Sequence, residues 1–158
     1  MERVDAILRH PAFTAALAEL HAQDRERIFC RHGLEHLLDV ARLMYIYDRV
    51  AELGIAQETL YAAALLHDIG RTVQYRDGTP HDEAGVRLAR PILEDCGCTE
   101  QEIMEILTAI GGHRAPGVTA PLGRLLYRAD KKSRPCYACP AEGECNWPEE
   151  KKNHSLEF

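Results

Sequence analysis

Four histidine and aspartate side chains fall at positions where a helix would normally present hydrocarbon to a protein core. His36 shares a helical face with the apolar residues four, seven and eleven positions later. His67 and Asp68 end the most apolar stretch of the chain, and Asp130 continues an apolar stripe. Because an unpaired buried carboxylate costs several kcal/mol, buried acids are normally paired, protonated or bound to metal. Each residue alone would be an ordinary core or surface side chain, but the set together predicts a divalent metal site.

Four of the six cysteines form a second group of candidate metal ligands. Three of them follow a CxxC-x5-C pattern after the last helical stretch: Cys136, Cys139 and Cys145. Cys30 is the fourth candidate. It lies six residues before His36, and Cys136 lies six residues after Asp130. Six helical residues rise by about 9 Å. If His36 and Asp130 meet at one metal on two antiparallel helices, Cys30 and Cys136 would therefore converge. Four thiolates predict a structural zinc site, with an iron–sulfur cluster or reduced thiols without metal as alternatives.

The elements that must position both groups are helices, since apolar residues recur at helical spacing and alternating strand patterns are absent. Seven helical stretches are expected, with bounds near 3–9, 12–29, 33–52, 58–69, 82–95, 99–112 and 119–133. The composition of residues 76–80 predicts a loop. The sequence therefore predicts an all-α fold.

Individual residues set the expected bounds of these helices. Pro11 separates the first two stretches, and Pro91 predicts a kink or interruption inside the fifth. Thr99 and Glu102 have the spacing of a capping box at the start of the sixth stretch. Thr119 is the expected cap of the last helix, whose first turn tolerates the proline that follows.

The composition fits one globular domain and excludes several other classes of protein. The chain has 158 residues, of which 46% are hydrophobic and 28% charged, and this excludes a disordered chain. No apolar run approaches the roughly 20 residues that cross a bilayer, and a signal pattern is absent, so a cytoplasmic location is expected. The net charge of −6 disfavours binding to nucleic acid or to an anionic membrane. We expect one domain at 1–134, with a short Cys-rich C-terminal loop and polar tail at 135–158 packed on it, and the apolar content permits a homodimer.

The order of the His/Asp set resembles the His…His-Asp…Asp signature of the HD-domain metal-dependent phosphohydrolases. The residues that carry the resemblance are His36, His67, Asp68 and Asp130. The contexts EHLLDVARL, AALLHDIGR and LYRADKKSR around them are similar as well, over about residues 30–134. The resemblance implies an HD-domain-like helical bundle around a metal site. It also implies hydrolysis of phosphate esters or anhydrides, commonly in nucleotides.

Two further histidines extend the resemblance to the binuclear branch of that family. His81 opens a helix after a loop and His113 ends another, which gives the order His, His-Asp, His, His, Asp. This order resembles the HD-GYP cyclic-dinucleotide phosphodiesterases and the HD-type diadenosine tetraphosphatases. The resemblance implies a first metal held by His36, His67, Asp68 and Asp130, and a second held by His81 and His113 and bridged by Asp68. The Gly-Tyr-Pro element and paired histidine of the cyclic-dinucleotide enzymes are absent, which argues against that substrate.

These observations predict a metal-dependent phosphohydrolase that acts on a phosphate ester or anhydride of a small phosphorylated substrate such as a nucleotide. A metal-activated hydroxide is expected to attack phosphorus, while Asp68 bridges the metals and orients that hydroxide. Arg71 and Lys131 directly follow the HDIG and Asp motifs and are the expected partners of the developing charge, with solvated surface positions as the alternative. Arg114 and Arg134 are weaker candidates for the same task.

The ligand chemistry suits one or two divalent transition metal ions, with iron, manganese, zinc, cobalt and nickel all compatible. Two other functions remain open. One is a nucleotide-sensing, metal-stabilised binding or regulatory domain with little turnover, and the other is a non-hydrolytic di-iron oxidative enzyme. His32 lies four residues before His36, and its role is undecided among three: a substrate contact, a metal-shell residue and a helix cap.

Overall fold

The computed structural model describes residues 1–115 and 117–158 of the chain. Within these residues it contains eight α-helices and no β-strand, which confirms the predicted all-α fold. The helices are α1 (Glu2–Arg9), α2 (Pro11–Gln23), α3 (Leu34–Ala51), α4 (Gln57–Leu66), α5 (Arg71–Asp77), α6 (His81–Asp95), α7 (Glu100–Gly112) and α8 (Pro121–Lys132). Short 3-10 turns follow at Cys136–Ala138, Glu142–Glu144 and Glu149–Lys151. Across the described ranges, no helix combines the length and the apolar character needed to span a bilayer.

The first two helices are separated at Pro11, as predicted. Pro11 occupies the first position of α2, where its missing N–H costs no hydrogen bond. The predicted extension of α2 to residue 29 was wrong, because the helix ends at Gln23. The carboxylate of Asp24 then accepts the backbone N–H of His32 at 2.8 Å, which folds the segment before α3 into an irregular linker.

The most apolar helix, α4, lies at the centre of the bundle. It contacts α1, α3, α6, α7 and α8, and most of its side chains are buried. A helix with neighbours on several sides needs an apolar surface on several sides, which explains its composition. The turn after α4 carries His67 and Asp68, so the core helix delivers both residues to the interior.

The stretch between α4 and α6 is more helical than its composition predicts. α5 continues to Asp77 and is capped by Gly78, whose φ of 82° lies in the left-handed region, so the loop predicted at 76–80 begins later than expected. The helix α6 runs without interruption through Pro91. Pro91 and Arg87 are both exposed, so the carbonyl that loses its hydrogen-bond partner reaches water.

The starts of α7 and α8 are defined in different ways. Thr99 caps α7 as predicted, because its side chain accepts the backbone N–H of Glu102 while the Glu102 carboxylate accepts the backbone N–H of Thr99. The prediction that Thr119 caps α8 was wrong. α8 begins at Pro121 with Ala120 in the capping position. A proline there has no N–H to satisfy and a preset φ, so α8 starts without a capping side chain.

A close approach between two backbones brings α6 against the turn that follows α4. A Cβ added to Gly70 would lie 2.1 Å from the carbonyl oxygen of His81 and 2.4 Å from the backbone nitrogen of Gly85. Any side chain at position 70 would therefore push α6 away. Because Asp68 lies in this turn and His81 begins α6, the glycine sets the distance between two predicted metal ligands.

Helices α3 and α8 pack antiparallel. The first turn of α3 meets the end of α8, where the Ser133 hydroxyl lies 3.3 Å from His36 Nδ1. Further along α3, the ring centre of Tyr47 lies 4.1 Å from the guanidinium of Arg128, which precedes Ser133 in the chain, so the two helices run in opposite directions. The predicted convergence of the cysteines depends on this arrangement.

The segment 135–158 folds back onto the helices. The side-chain amide of Asn153 donates to the backbone carbonyl of Lys131 at 2.8 Å. Near the end of the segment, the ring of Phe158 packs edge-on against Tyr47, with 5.4 Å between ring centres. The Cys-rich loop and the tail therefore contact the ends of α3 and α8 rather than forming a separate unit.

Candidate metal centre

The six predicted histidine and aspartate ligands converge in the interior as two groups that share one residue. The first group, here called the first half-site, consists of His36, His67, Asp68 and Asp130. The second half-site consists of Asp68, His81 and His113. Within each group the ligand atoms lie within 4.8 Å of one another. Small side-chain adjustments would bring each group onto one ion, since metal–ligand bonds to nitrogen and oxygen are about 2.0–2.2 Å.

The ends of five helices position these side chains. His67 and His113 are the C-terminal cap residues of α4 and α7, and His81 is the first residue of α6. His36 lies in the first turn of α3, and Asp130 lies in the last turn of α8. The centre therefore stands where the packed ends of α3, α4, α6, α7 and α8 meet.

Asp68 connects the two half-sites. Its Oδ2 atom lies 3.3 Å from His67 Nε2 and 3.6 Å from His36 Nε2, in the first half-site. Its Oδ1 atom lies 3.5 Å from His81 Nε2 and 3.8 Å from His113 Nε2, in the second. One carboxylate oxygen faces each half-site, which is the arrangement of a carboxylate that bridges two ions.

Each imidazole of the first half-site is oriented by its other nitrogen. His67 Nδ1 donates to the carbonyl of Ala64 at 2.7 Å, and His36 Nδ1 lies 3.3 Å from the Ser133 hydroxyl. The Nε2 atoms consequently face Asp130, whose Oδ1 is 3.4 Å from His36 Nε2 and 3.9 Å from His67 Nε2. Partners of this kind fix the tautomer and the ring orientation that a metal ion requires.

The second half-site brings two imidazole lone pairs face to face. His81 Nδ1 donates to the side-chain oxygen of Gln74 at 2.8 Å, and His113 Nδ1 donates to the carbonyl of Ile110 at 2.5 Å. In the neutral rings both Nε2 atoms then carry lone pairs, yet they lie 3.1 Å apart. Two lone pairs at this distance repel each other unless a proton or a metal cation lies between them.

Electrostatics disfavour that proton. Burial is the main cause that lowers the pKa of His81 to about 3 and the pKa of His113 to about 4. The neighbouring Arg71 lowers the pKa of His81 further. Both rings are therefore neutral at physiological pH, and the facing nitrogen atoms are suited to a cation.

The first half-site has the opposite charge pattern. Burial alone would lower the pKa of His67, but the carboxylates of Asp68 and Asp130 raise it to about 10. Burial alone would raise the pKa of each carboxyl group, but for Asp68 the neighbouring His67 and Arg71 hold it well below its usual range. Without a metal ion, His67 holds a proton at neutral pH, and an ion that binds here displaces that proton.

Buried polar atoms without a partner test whether these residues fit a metal ion. Among the described residues, His36 Nε2, His67 Nε2 and both carboxylate oxygens of Asp68 are buried and make no hydrogen bond. Such atoms are rare in folded proteins because each costs about 1–3 kcal/mol. A set of imidazole and carboxylate atoms facing one another satisfies its lone pairs by binding a divalent transition metal ion, so the residues fit the predicted group.

Three cationic side chains surround the ligand carboxylates. Lys131 Nζ lies 2.6 Å from one oxygen of Asp130, and the Arg134 guanidinium lies 3.1 Å from the other. Arg71 Nε lies 2.8 Å from Asp68 Oδ1 without the direction of a hydrogen bond, so this contact is an ion pair. The weaker candidate Arg114 contacts neither ligand carboxylate, because its guanidinium pairs at 3.4 Å with the half-buried carboxylate of Asp82, the residue after His81.

His32, whose role the sequence left open, lies beside the centre but in a different hydrogen-bond network. The carboxylate of Asp24 is 3.1 Å from His32 Nδ1 and also accepts the hydroxyl of Tyr75 at 3.1 Å. The His32 ring stands edge-on to the ring of His36, with 5.9 Å between their centres. Burial lowers the pKa of His32, so a neutral ring packs behind the first half-site.

Three residues that support the centre were missed from the sequence. Gln74 and Ser133 orient ligand rings through their side chains, and Asp24 holds the linker that carries His32. Gln74 lies in a helix that the sequence did not predict. Ser133 contacts His36 because α8 packs against α3 in the folded chain. Their residue types and spacing carry no signal that distinguishes them from surface residues.

The four cysteines of the predicted zinc site line one cavity of about 880 Å³, together with His36. Within the described residues, no three of their sulfur atoms lie within 4.8 Å of one another. The helical positions predicted for Cys30 and Cys136 were wrong, because Cys30 lies in the linker before α3 and Cys136 lies in a 3-10 turn after α8. The zinc site stays a prediction, although the structure places all four thiols around the same space.

Comparison with known proteins supports the interpretation of the His/Asp set. A family model described as HD domain matches residues 33–134, which include every residue of both half-sites. A protein of Clostridium beijerinckii, named only as an uncharacterized protein, is 38% identical over 158 residues, the full length of both chains. No solved structure matches the chain.

Several more distant relatives are named ribonuclease Y. One such protein from Thermus thermophilus is 32% identical over 119 residues, which are 75% of this chain and 18% of that protein. Ribonuclease Y 1 of Pediococcus pentosaceus is 35% identical over 80 residues, 51% of this chain and 14% of the relative. The present chain thus spans less than a fifth of the length of these two relatives.

Proposed function

Because the chain belongs to the HD domain family, we propose that it is a metal-dependent phosphohydrolase that cleaves a phosphate ester or anhydride bond. The proposed substrate is a small phosphorylated compound, with nucleotides as the first candidates. The observation that carries the proposal is the position of Asp68, which directs one oxygen to each half-site. A carboxylate shared between two sets of histidines suits the in-line displacement that two-metal sites perform on phosphoryl groups.

Divalent ions bound at the half-sites would supply a nucleophile at neutral pH and Lewis-acid stabilisation of the phosphoryl oxygens. The chain itself holds the ligand atoms ready for this task. The ionised carboxylates of Asp68 and Asp130 offset the charge of cations, and their low pKa values keep them ionised. The hydrogen bonds that the Nδ1 atoms of His67 and His113 donate to backbone carbonyls keep each Nε2 directed inwards.

Arg71 and Lys131 are the proposed partners of the phosphate group. Their side chains are 17% and 32% exposed, and each contacts a ligand carboxylate, so both stand at the border between the centre and solvent. A guanidinium and an ammonium group there would neutralise charge that develops on the phosphoryl oxygens. Arg134 is buried against Asp130 and would instead hold that ligand in place.

We further propose that the substrate enters on the side of His36, Arg71 and Lys131. The side chains of His67 and His113 are almost fully buried, and the apolar side chains of α4 and α7 close the centre behind them. The His36 ring is 10% exposed and faces Asp68 and Asp130, the two carboxylates that the proposed phosphate partners contact. Water and substrate would therefore reach the two half-sites from one face only.

The relatives named ribonuclease Y make RNA a competing substrate class. The shared region is 18% of the Thermus protein, so the activity of that whole protein does not transfer directly. The net charge of −6 disfavours binding of a long polyanion, which normally needs a basic surface. We therefore propose small phosphorylated compounds ahead of RNA, and the experiment includes both.

The test is phosphate release by protein that has been stripped with a chelator and reloaded with Mn²⁺, Fe²⁺, Co²⁺, Ni²⁺ or Zn²⁺. The panel contains nucleoside mono-, di- and triphosphates, dinucleoside polyphosphates, simple phosphomonoesters and a short RNA. We expect metal-dependent turnover of at least one small compound, and its loss in His67→Ala. The exposed His21→Ala in α2 is the matched control and should retain activity.

The other functions give different results in the same preparation. No turnover across the panel by protein with both half-sites loaded would overturn the proposal, and nucleotide binding without turnover would indicate a sensing domain. Cleavage of RNA alone would overturn the proposed substrate class. Oxygen consumption by the ferrous form, without phosphate release, would indicate the oxidative di-iron alternative.

A further inference from the structure

The cavity of about 880 Å³ lies between two irregular segments of the chain and the first turns of α3, where it reaches the first-half-site residue His36. One wall comes from the linker before α3, and the other from the segment that follows α8. We call it the cysteine cavity after the four thiols that line it: Cys30, Cys136, Cys139 and Cys145. Cys30 comes from a part of the sequence remote from the other three, so the fold itself brings these thiols to one place.

The state of the thiols suits metal binding. All four cysteines are free and half-buried, so they are neither inert core residues nor fully solvated surface residues. Three of them have the CxxC-x5-C spacing, and four thiolates are the ligand set of many structural zinc sites. The sulfur atoms still have to approach one another to reach Zn–S distances of about 2.3 Å. The segments that carry them contain only a linker and 3-10 turns, so closure requires no α-helix to break.

The surroundings of Cys30 also suit a thiolate. The Arg134 guanidinium lies beside the Cys30 sulfur, and the Arg134 side chain is only 7% exposed. Its Nε atom is buried and, within the described part of the chain, makes no hydrogen bond. A zinc ion with four thiolates carries a net charge of −2, so an unsatisfied buried N–H of a cation at its edge would be stabilising.

We propose that Cys30, Cys136, Cys139 and Cys145 bind one Zn²⁺ ion that ties the segment after α8 to the linker before α3. Binding forms four Zn–S bonds and releases the thiol protons to solvent, and no oxidation state changes. The site is separate from the two half-sites, which contain no thiol.

The zinc ion has a positioning role in the centre next to it. The tied segment begins with Ser133, which orients the ring of His36, and Arg134, which holds Asp130. Both contacts belong to the first half-site, so closure of the cysteine cavity holds two of its ligands in register.

Metal analysis of the purified full chain, by mass spectrometry, tests the proposal. We expect Cys30→Ser and Cys139→Ser each to contain about one zinc ion per chain fewer than the wild type. Cys96→Ser, a half-buried cysteine outside the cavity, is the matched control and should keep the wild-type content. A zinc content unchanged in both cavity variants overturns the proposal, and iron with acid-labile sulfide in place of zinc overturns the identity of the metal.

A second measurement does not depend on whether the variants fold. Wild-type protein loaded with Co²⁺ should show the thiolate-to-cobalt charge-transfer absorption of a sulfur-rich tetrahedral site, which a His/Asp site cannot produce. This absorption should persist in His67→Ala, although that variant should lose hydrolysis. Its absence from the cobalt-loaded wild type overturns the proposal whatever the variants do, whereas inactive wild-type protein that shows it would overturn only the proposed hydrolase function.

Discussion

The metal centre and the cysteine cavity are adjacent, but they differ in what positions their ligands. The ligands of the centre stand at the ends of α4 and of four helices that contact it, and the packing of these helices brings their ligand atoms together. The thiols of the cavity stand on a linker and on 3-10 turns. They line the same cavity, but in the ranges that the structure describes no three of their sulfur atoms lie within 4.8 Å of one another. Packed helices fix ligand geometry in advance, whereas irregular segments leave the final approach to the metal.

The two arrangements carry different energetic costs. In the centre, the fold confines unpaired carboxylate oxygens of Asp68 and the facing nitrogens of His81 and His113, which destabilises the metal-free state. In the cavity, the thiols are free and only half-buried, so little free energy is stored there. The centre should therefore respond mainly in metal affinity and activity, and the cavity mainly in the order of the segment after α8.

Asp68→Asn is expected to have the largest effect. The amide keeps the shape of the side chain but removes the charge and presents an NH₂ group to one half-site. We expect both ions to be lost and kcat/KM to fall by about 10³-fold or more, because a metal contributes several kcal/mol to transition-state stabilisation. Metal content and steady-state kinetics measure this, with the exposed Asp5→Asn as the control. Near-normal activity would contradict the interpretation of Asp68 as the shared ligand. Zinc retained in the cavity would show that the two regions bind metal independently.

Gln74→Ala is expected to act on one half-site only. The substitution removes the acceptor that orients His81, so the affinity of the second half-site for its ion should fall by about 10–100-fold. We expect no change at the first half-site, because His81, the ring that Gln74 orients, is not one of its ligands. Titration against a competing chelator resolves the two affinities, with the exposed Gln101→Ala as the control. Equal weakening of both ions would contradict the division into half-sites.

The pH dependence of metal binding follows from His67. Its pKa is raised to about 10 in the metal-free protein, so the ring carries a proton at neutral pH that binding must displace. His81 and His113, with pKa values of about 3 and 4, have no proton to release. The affinity of the first half-site should therefore rise about tenfold per pH unit from neutral pH towards pH 10, with about one proton released per ion. Calorimetry in buffers of different ionisation enthalpy counts the proton, and a release of zero would refute this charge assignment.

Cys139→Ser should have the smallest effect on turnover. We expect kcat/KM to change by less than about tenfold, since only the positioning of Ser133 and Arg134 is loosened. Limited proteolysis should cut the segment 135–158 faster than in the wild type, because that segment loses its tie to the linker. Cys96→Ser should match the wild type in both measurements. A loss of activity as large as that of Asp68→Asn would mean that the two regions are one functional site.

The parts of this molecule that the sequence predicts are those with a local pattern. Helical spacing identified α3, α4 and α7, and the order of His and Asp residues identified the HD resemblance that the family match confirms. The start of α7 was predictable because Thr99 and Glu102 form their hydrogen bonds within one turn. Each of these features depends on residues a few positions apart.

The parts that the sequence did not predict depend on contacts between distant segments. Helix α2 ends early where the Asp24 carboxylate accepts the backbone N–H of His32. The irregular segment between these residues has no periodic pattern that would predict this contact. The role of Gln74 appears only when Gly70 allows α6 to approach the turn after α4. The position of Cys30 could not be obtained from helical rise because it lies in the linker.

His67 and His113 end their helices in the same way. In each, the Nδ1–H group donates a hydrogen bond to the backbone carbonyl three residues earlier in the same helix. The point where each helix stops and the direction of its ligand nitrogen are therefore set together. One inserted residue inside α4 or α7 would rotate the terminal ring by about 100° and turn Nε2 away from Asp68. The centre should accordingly tolerate changes in side-chain type within these helices far better than changes in their length, while a residue inserted in the exposed connection at Leu53 should pass without effect.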